Sequence, residues 1–87
     1  MNYKIIVSEK LEKQLKKISN KIAKRIIVKI ENLSVEPRPH DVKKLKGKNL
    51  YRIREGQYRI VYKIEDKMLI VLIVDVAHRK EIYKNLS

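Results

Sequence analysis

The chain contains no cysteine. Disulfides, thiolate nucleophiles and cysteine-ligated zinc are therefore excluded. The absence fits a reducing compartment, and a cytoplasmic protein is expected. Phenylalanine and tryptophan are missing too, so the five aromatic residues are all tyrosine. With only two histidines, His40 and His78, a metal site is not expected. Long hydrophobic runs are also lacking. The longest, Met68 to Val74, is far too short to span a bilayer. The opening MNYKIIVSEK has no long apolar region and no small-residue cleavage site, so no secretory signal is expected. No repeat, linker or low-complexity segment interrupts the sequence.

Acidic residues are scarce. Asp and Glu total 10 against 22 Lys and Arg, giving a formal charge of +12 over 87 residues. Both halves of the chain carry the excess, so it is built into the fold and is not a detachable tail. Such a length allows one domain, expected to span residues 1–87, and a hydrophobic fraction of 44% supplies one core of Ile, Leu and Val. A domain this basic attracts nucleic acid, an anionic membrane or an acidic protein. The bland alternative is a Lys-rich surface that only confers solubility.

Tyr3, Ile5 and Val7 alternate with Asn2, Lys4 and Ile6, a strand period. Ser8 stands where a helix N-cap belongs, with Glu9 and Glu12 complementing the helix dipole. Leu11, Leu15 and Ile18 then follow at helical spacing. Ser19-Asn20 punctuates the chain and can cap a second helix, whose expected buried stripe is Ile22, Ile26, Ile30 and Leu33, supported by Ala23 and Ile27. Ser34 to Asp41, with Pro37 and Pro39, reads as a loop. Three strands are expected after it: Leu50–Arg54, Gln57–Ile64 and Met68–Ala77. Leu69 to Val74 is apolar throughout, as for a strand covered on both faces. The order β-α-α-β-β-β defines an α+β fold, with a helical hairpin packed on one face of an antiparallel meander. The other face is left partly open for a ligand.

In the hairpin LYRIREGQYRIVY, Arg52 and Arg54 point away from Tyr51 and Ile53. Arg59 points away from Tyr58 and Ile60. A turn at Glu55-Gly56 places Arg52 opposite Arg59 and gathers three arginines on one face. Like charges so placed cost a hairpin roughly 0.2–1 kcal/mol per pair, which a bound anion would offset. Arginine suits phosphate, because its planar fork binds bidentately and stays charged. A solvated outer face is the plain alternative. DVAHRKEIY, residues 75–83, adds His78, Arg79 and Tyr83 at the end of the last strand.

These pieces, in this order, resemble the RelE toxins of toxin–antitoxin pairs. The resemblance rests on Gly56 to Tyr62 (G-x-Y-R-[IL]-V-Y), on the KKLKG stretch from Lys43 to Gly47, and on the closing H-R-K-x-x-Y, and it extends over nearly the whole chain. It implies an mRNA-cleaving toxin that acts in the ribosomal A site and is held inactive by a RelB-like antitoxin. The family's basic strand residues, its arginine after the last strand and its C-terminal tyrosine fall on Arg52, Arg54, Arg59, Arg79 and Tyr83. The stretch between Arg79 and Tyr83 is shorter than in the best-known bacterial member.

On this reading Arg59, Arg79 and Tyr83 are catalytic, and Arg52, Arg54, Lys46 and His78 bind substrate. RNA carries its own nucleophile in the 2′-OH, so the protein must supply proton transfer and charge stabilisation, without metal or cofactor. Tyr83 is expected as general base or stacking partner. Tyrosine has an unperturbed pKa of about 10, so it needs the arginines to favour its phenolate. The related ParE toxins, which poison DNA gyrase, share the overall pattern without depending on this residue set. A non-catalytic nucleic-acid-binding module would bind with steep salt dependence and no cleavage. A membrane-surface role is disfavoured, because the apolar helical stripes are narrow and needed for the core.

Overall fold

Alternating apolar residues drive the sheet and helical spacing drives the two helices, in a computed structural model that describes residues 2–45, 47 and 49–79. Strand β1 (Lys4–Val7) leads into α1 (Glu9–Lys16) and α2 (Asn20–Asn32). Strands β2 (Lys43–Lys44), β3 (Tyr51–Glu55), β4 (Tyr58–Glu65) and β5 (Ile70–His78) follow. They form one five-stranded sheet in the order β1-β5-β4-β3-β2. The meander β3-β4-β5 is antiparallel, and β1 runs parallel to β5 at the edge. A parallel neighbour needs a crossover, and the two helices supply it.

Ser8 caps α1 as its chemistry dictates: its Oγ accepts from the Leu11 N–H at 3.2 Å. Ser19 occupies the N-cap of α2 without a side-chain bond. Helix α1 packs on β5 and α2 on β3. Between helices and sheet lie Leu11, Ile26, Ile30 and Leu33, facing Ile53, Ile60, Tyr62, Ile64, Val71, Ile73 and Val76. The buried helical stripe is shorter than expected. Ile22 and Ile27 are 37% and 40% exposed.

Four expectations about the strands are corrected. A short strand, β2, pairs with β3 through Lys43 and Lys44, where no apolar alternation announced it. The β3–β4 turn is Gly56-Gln57, not Glu55-Gly56, with Gly56 at φ +58° in its first position. Strand β5 begins at Ile70, because the preceding turn ends on Leu69 in the left-handed region at φ 53°. Finally, β5 is covered on one face only, and Leu72 and Val74 are 37% and 43% exposed. No helix among the described residues is long and apolar enough to cross a membrane.

A polar lock closes the end of the molecule where β4 turns into β5. The Tyr62 hydroxyl, fully buried, donates to the Pro37 carbonyl at 2.8 Å, and its ring stacks on Tyr51 at 5.9 Å. Arg38 grips Asp66 with both terminal guanidinium nitrogens, Nη1 at 3.1 Å and Nη2 at 2.8 Å, and lies 5.3 Å over the Tyr51 ring. Tyr3 donates to the same carboxylate at 2.7 Å. The proline loop is thus tied to β1, β3, β4 and the β4–β5 turn. Arg38 first, then Tyr3, holds the Asp66 carboxyl down at about 2.

Two outcomes are expected. Tyr62→Phe orphans the Pro37 carbonyl and lowers stability in chemical denaturation by about 1–3 kcal/mol. The second concerns acid. The folded-state pKa of Asp66 lies below its unfolded value, so its contribution is present above about pH 4 and is lost as pH falls towards 2. Wild-type stability should therefore fall more steeply across that window than that of Asp66→Asn, as read by urea unfolding at each pH.

Candidate polyanion-binding face

Strand alternation sends every second residue of β3 and β4 away from the helices. Ile53, Ile60 and Tyr62 go into the core, so Arg52, Arg54 and Arg59 emerge on the open face. The register sets their spacing. Arg54 is directly opposite Arg59, and Arg52 is opposite Val61. The pairing differs from the expected Arg52–Arg59 by two residues, a slip that keeps every side chain on its face. The three arginines therefore cluster as expected, with a different pair in direct opposition.

Among the described residues, none of the three makes an ion pair; the salt bridges lie elsewhere, at Lys29–Asp41 and Arg38–Asp66. Arg52 is the most constrained. Its Nε is buried with no hydrogen-bond partner. Burial first, then the charges of Arg54 and Arg59, pull its pKa below the ordinary guanidinium value. Arg52 is thus a cation packed beside two others, with one buried donor that no protein group satisfies. Lys43, opposite Arg52 on β2, extends the cationic row. Its only sequence signal was membership of the KKLKG stretch.

Arg79 follows β5. Its N–H donates to the Gln57 carbonyl at 2.8 Å, carrying the β4–β5 ladder one residue past His78. Arg79 thus stands two residues beyond Ala77, which is opposite Arg59, at the same end of the sheet as Arg54 and Arg59. His78 falls on the other alternation. It is opposite Tyr58, whose ring it meets edge-on at 5.1 Å. With Ile22, Arg25 and Tyr58 it lines a cleft of about 240 Å³ on the helix side. The structure therefore brings together Arg52, Arg54 and Arg59, sets Arg79 beside them, and separates His78 from them by the thickness of the sheet. Lys46 and Tyr83 lie outside the described residues.

This architecture has known counterparts. A family model described as the ParE toxin of type II toxin–antitoxin systems matches residues 5–83. The toxin RelE3 of Methanocaldococcus jannaschii is 38% identical over 85 residues, covering 92% of this chain and 94% of its own. Among solved structures, the archaeal RelE–RelB complex of Pyrococcus horikoshii is similar at a TM-score of 0.81 and 29% identity, over 91% of this chain and 97% of that one. The RelB–RelE antitoxin–toxin complex of Methanococcus jannaschii gives a TM-score of 0.75 at 32% identity, over 94% of this chain and 99% of that one. A helix-backed sheet of this topology is thus the fold of the solved RelE toxins. The chain belongs to the RelE/ParE family, the toxins of type II toxin–antitoxin systems.

The repulsion between Arg54 and Arg59 has a measurable consequence. Arg54→Thr removes the opposed like charges and places a strand-forming residue in β3. It should raise stability by about 0.2–1 kcal/mol in the absence of polyanion while weakening any polyanion binding. Denaturant unfolding and filter binding at fixed salt read the two effects.

Proposed function

We propose that this toxin is an endoribonuclease that cleaves mRNA in the ribosomal A site by metal-free attack of the ribose 2′-OH. The observation that carries the reading is the cluster of Arg52, Arg54 and Arg59 on the open face, without a carboxylate partner among the described residues. A phosphate satisfies all three at once, because guanidinium forks match its oxygens.

In this mechanism the 2′-oxygen forms a bond to the adjacent phosphorus and the bond from phosphorus to the 5′-oxygen breaks. The leaving 5′-oxygen takes a proton from water, and the products are a 2′,3′-cyclic phosphate and a 5′-hydroxyl. Arg59 and Arg79 hold the scissile phosphate and the negative charge that grows on it. Arg52 and Arg54 position it, with Lys46 extending the grip on the strand. Tyr83 takes the 2′-OH proton, or stacks on a base. His78, on the helix side, acts at the rim of the site and not beneath the phosphate. The ribosome presents the codon, so free RNA is cut slowly or not at all.

Two of the similar structures are complexes of RelE with RelB, which supports a RelB-like antitoxin as the neutralising partner. The site of action is then the cytoplasm, where translating ribosomes are found. A second reading, poisoning of DNA gyrase, is favoured by one observation: the matching family description is that of the ParE toxin. Fold alone does not separate the two; the arginine cluster favours the ribonuclease.

Toeprinting on translating ribosomes tests the proposal. Wild-type protein freed of antitoxin should cut within the A-site codon, and Arg59→Ala should lose at least about 100-fold in cutting rate. Cuts that persist at the wild-type rate in Arg59→Ala would refute the phosphate clamp. No cuts, together with inhibited supercoiling by purified gyrase, would establish the second reading.

A further inference from the structure

The open face carries two carboxylates, Glu65 at the far end of β4 and Asp75 near the arginines, and the fold takes a detour to put Asp75 there. Along β5, Val71 and Ile73 point into the core, so simple alternation would send Asp75 inward as well. A bulge prevents this. Tyr62 is opposite Ile73 but Val61 is opposite Asp75, so Val74 is an extra residue in β5. The bulge leaves Val74 and Asp75 exposed between buried Ile73 and Val76. Bulges of this kind redirect a side chain; here the redirected group is an acid on a cationic surface.

Asp75 completes a cross-strand row with Val61 and Arg52. Two strand spacings put its Cα about 10 Å from that of Arg52. It is a diagonal neighbour of Arg59, at roughly 7–8 Å. Among the described residues it forms no ion pair with any arginine. It does not neutralise the cluster, and its charge opposes the approach of a phosphate. Along β5 from it lie the exposed side chains of Val74 and, opposite Lys63, Leu72, an apolar shelf that starts next to the carboxylate. Cations, then a carboxylate, then an apolar shelf match one nucleotide laid across the strands: phosphate on the arginines, base against Leu72 and Val74, base edge at Asp75.

We infer that Asp75 is a specificity residue that reads the base of the nucleotide whose phosphate the arginines hold, selecting one with hydrogen-bond donors on its edge. A carboxylate only accepts. Guanine, with adjacent N1–H and N2–H donors on its Watson–Crick edge, satisfies both oxygens at once, and uracil leaves one unpaired beside a base carbonyl. The inference rests on the ribonuclease reading and goes beyond it by assigning base preference to one residue.

The test is to sequence the 5′ ends produced on translating ribosomes by wild type, Asp75→Asn and Asp75→Ala, and to compare the base frequencies flanking the cut. Wild type should favour guanine at one flanking position. Asp75→Ala should reduce that preference about tenfold or more, the discrimination carried by one bidentate contact. Asp75→Asn, which offers one donor and one acceptor, should shift the preference towards adenine. Cuts with the same base distribution in all three proteins would overturn the role of Asp75 and leave the ribonuclease standing. If wild type does not cut at all, both fall.

Discussion

Burial of one face of β4 is the constraint on which the rest of the structure depends. Ile60, Tyr62 and Ile64 lie beneath the helices, and Ile60 and Tyr62 are wholly inaccessible to solvent. Because a strand repeats every two residues, their burial fixes Arg59, Val61 and Lys63 on the outside. Strand β4 also lies between β3 and β5, so it passes this orientation to both neighbours. Ile53 and Val76 must meet Ile60 from either side, and Arg52 and Arg54 are thereby turned outward. The arginine face is a consequence of the core on its reverse.

That face is held against its own charge. Opposed arginines repel, and the sheet keeps them together because slipping the register by one residue would expose Ile53 and Ile60 and bury charge, a far larger loss than the repulsion. The apolar contacts fix the geometry before any ligand arrives. The buried Nε of Arg52 is the local cost of this preorganisation.

The opposite end of the sheet is stabilised differently. There Tyr62, Pro37, Arg38, Asp66 and Tyr3 form a connected polar set. It fastens the long loop between α2 and β2 to the sheet edge and to β1. Surface ion pairs contribute little singly, but the Tyr62 hydroxyl is buried and its bond is costly to lose. Tyr62 thus serves both ends: its ring fills the core that orients β4, and its hydroxyl anchors the loop.

Strand and helix identity, the outward face of Arg52, Arg54 and Arg59, and the Ser8 cap were legible in the sequence because each is set by local periodicity or by one side chain. The family resemblance was legible for a related reason: its motifs lie on a continuous hairpin. What tertiary structure decided was everything that depends on partners distant along the chain. The parallel pairing of β1 with β5 and the pairing of Lys43-Lys44 with β3 leave no periodic trace in such short segments. The open face of Leu72 and Val74 was hidden because an apolar run reads the same whether covered once or twice. The bulge at Val74 could not be read either, since one inserted residue breaks alternation only relative to a neighbouring strand. His78 stood three residues from Asp75 in an apparently continuous motif, yet the backbone turns it to the helix side. The sequence by itself determined which residues carry charge and which must be buried. The tertiary structure decided which charges meet, because meeting depends on register, and register is a property of pairs of strands.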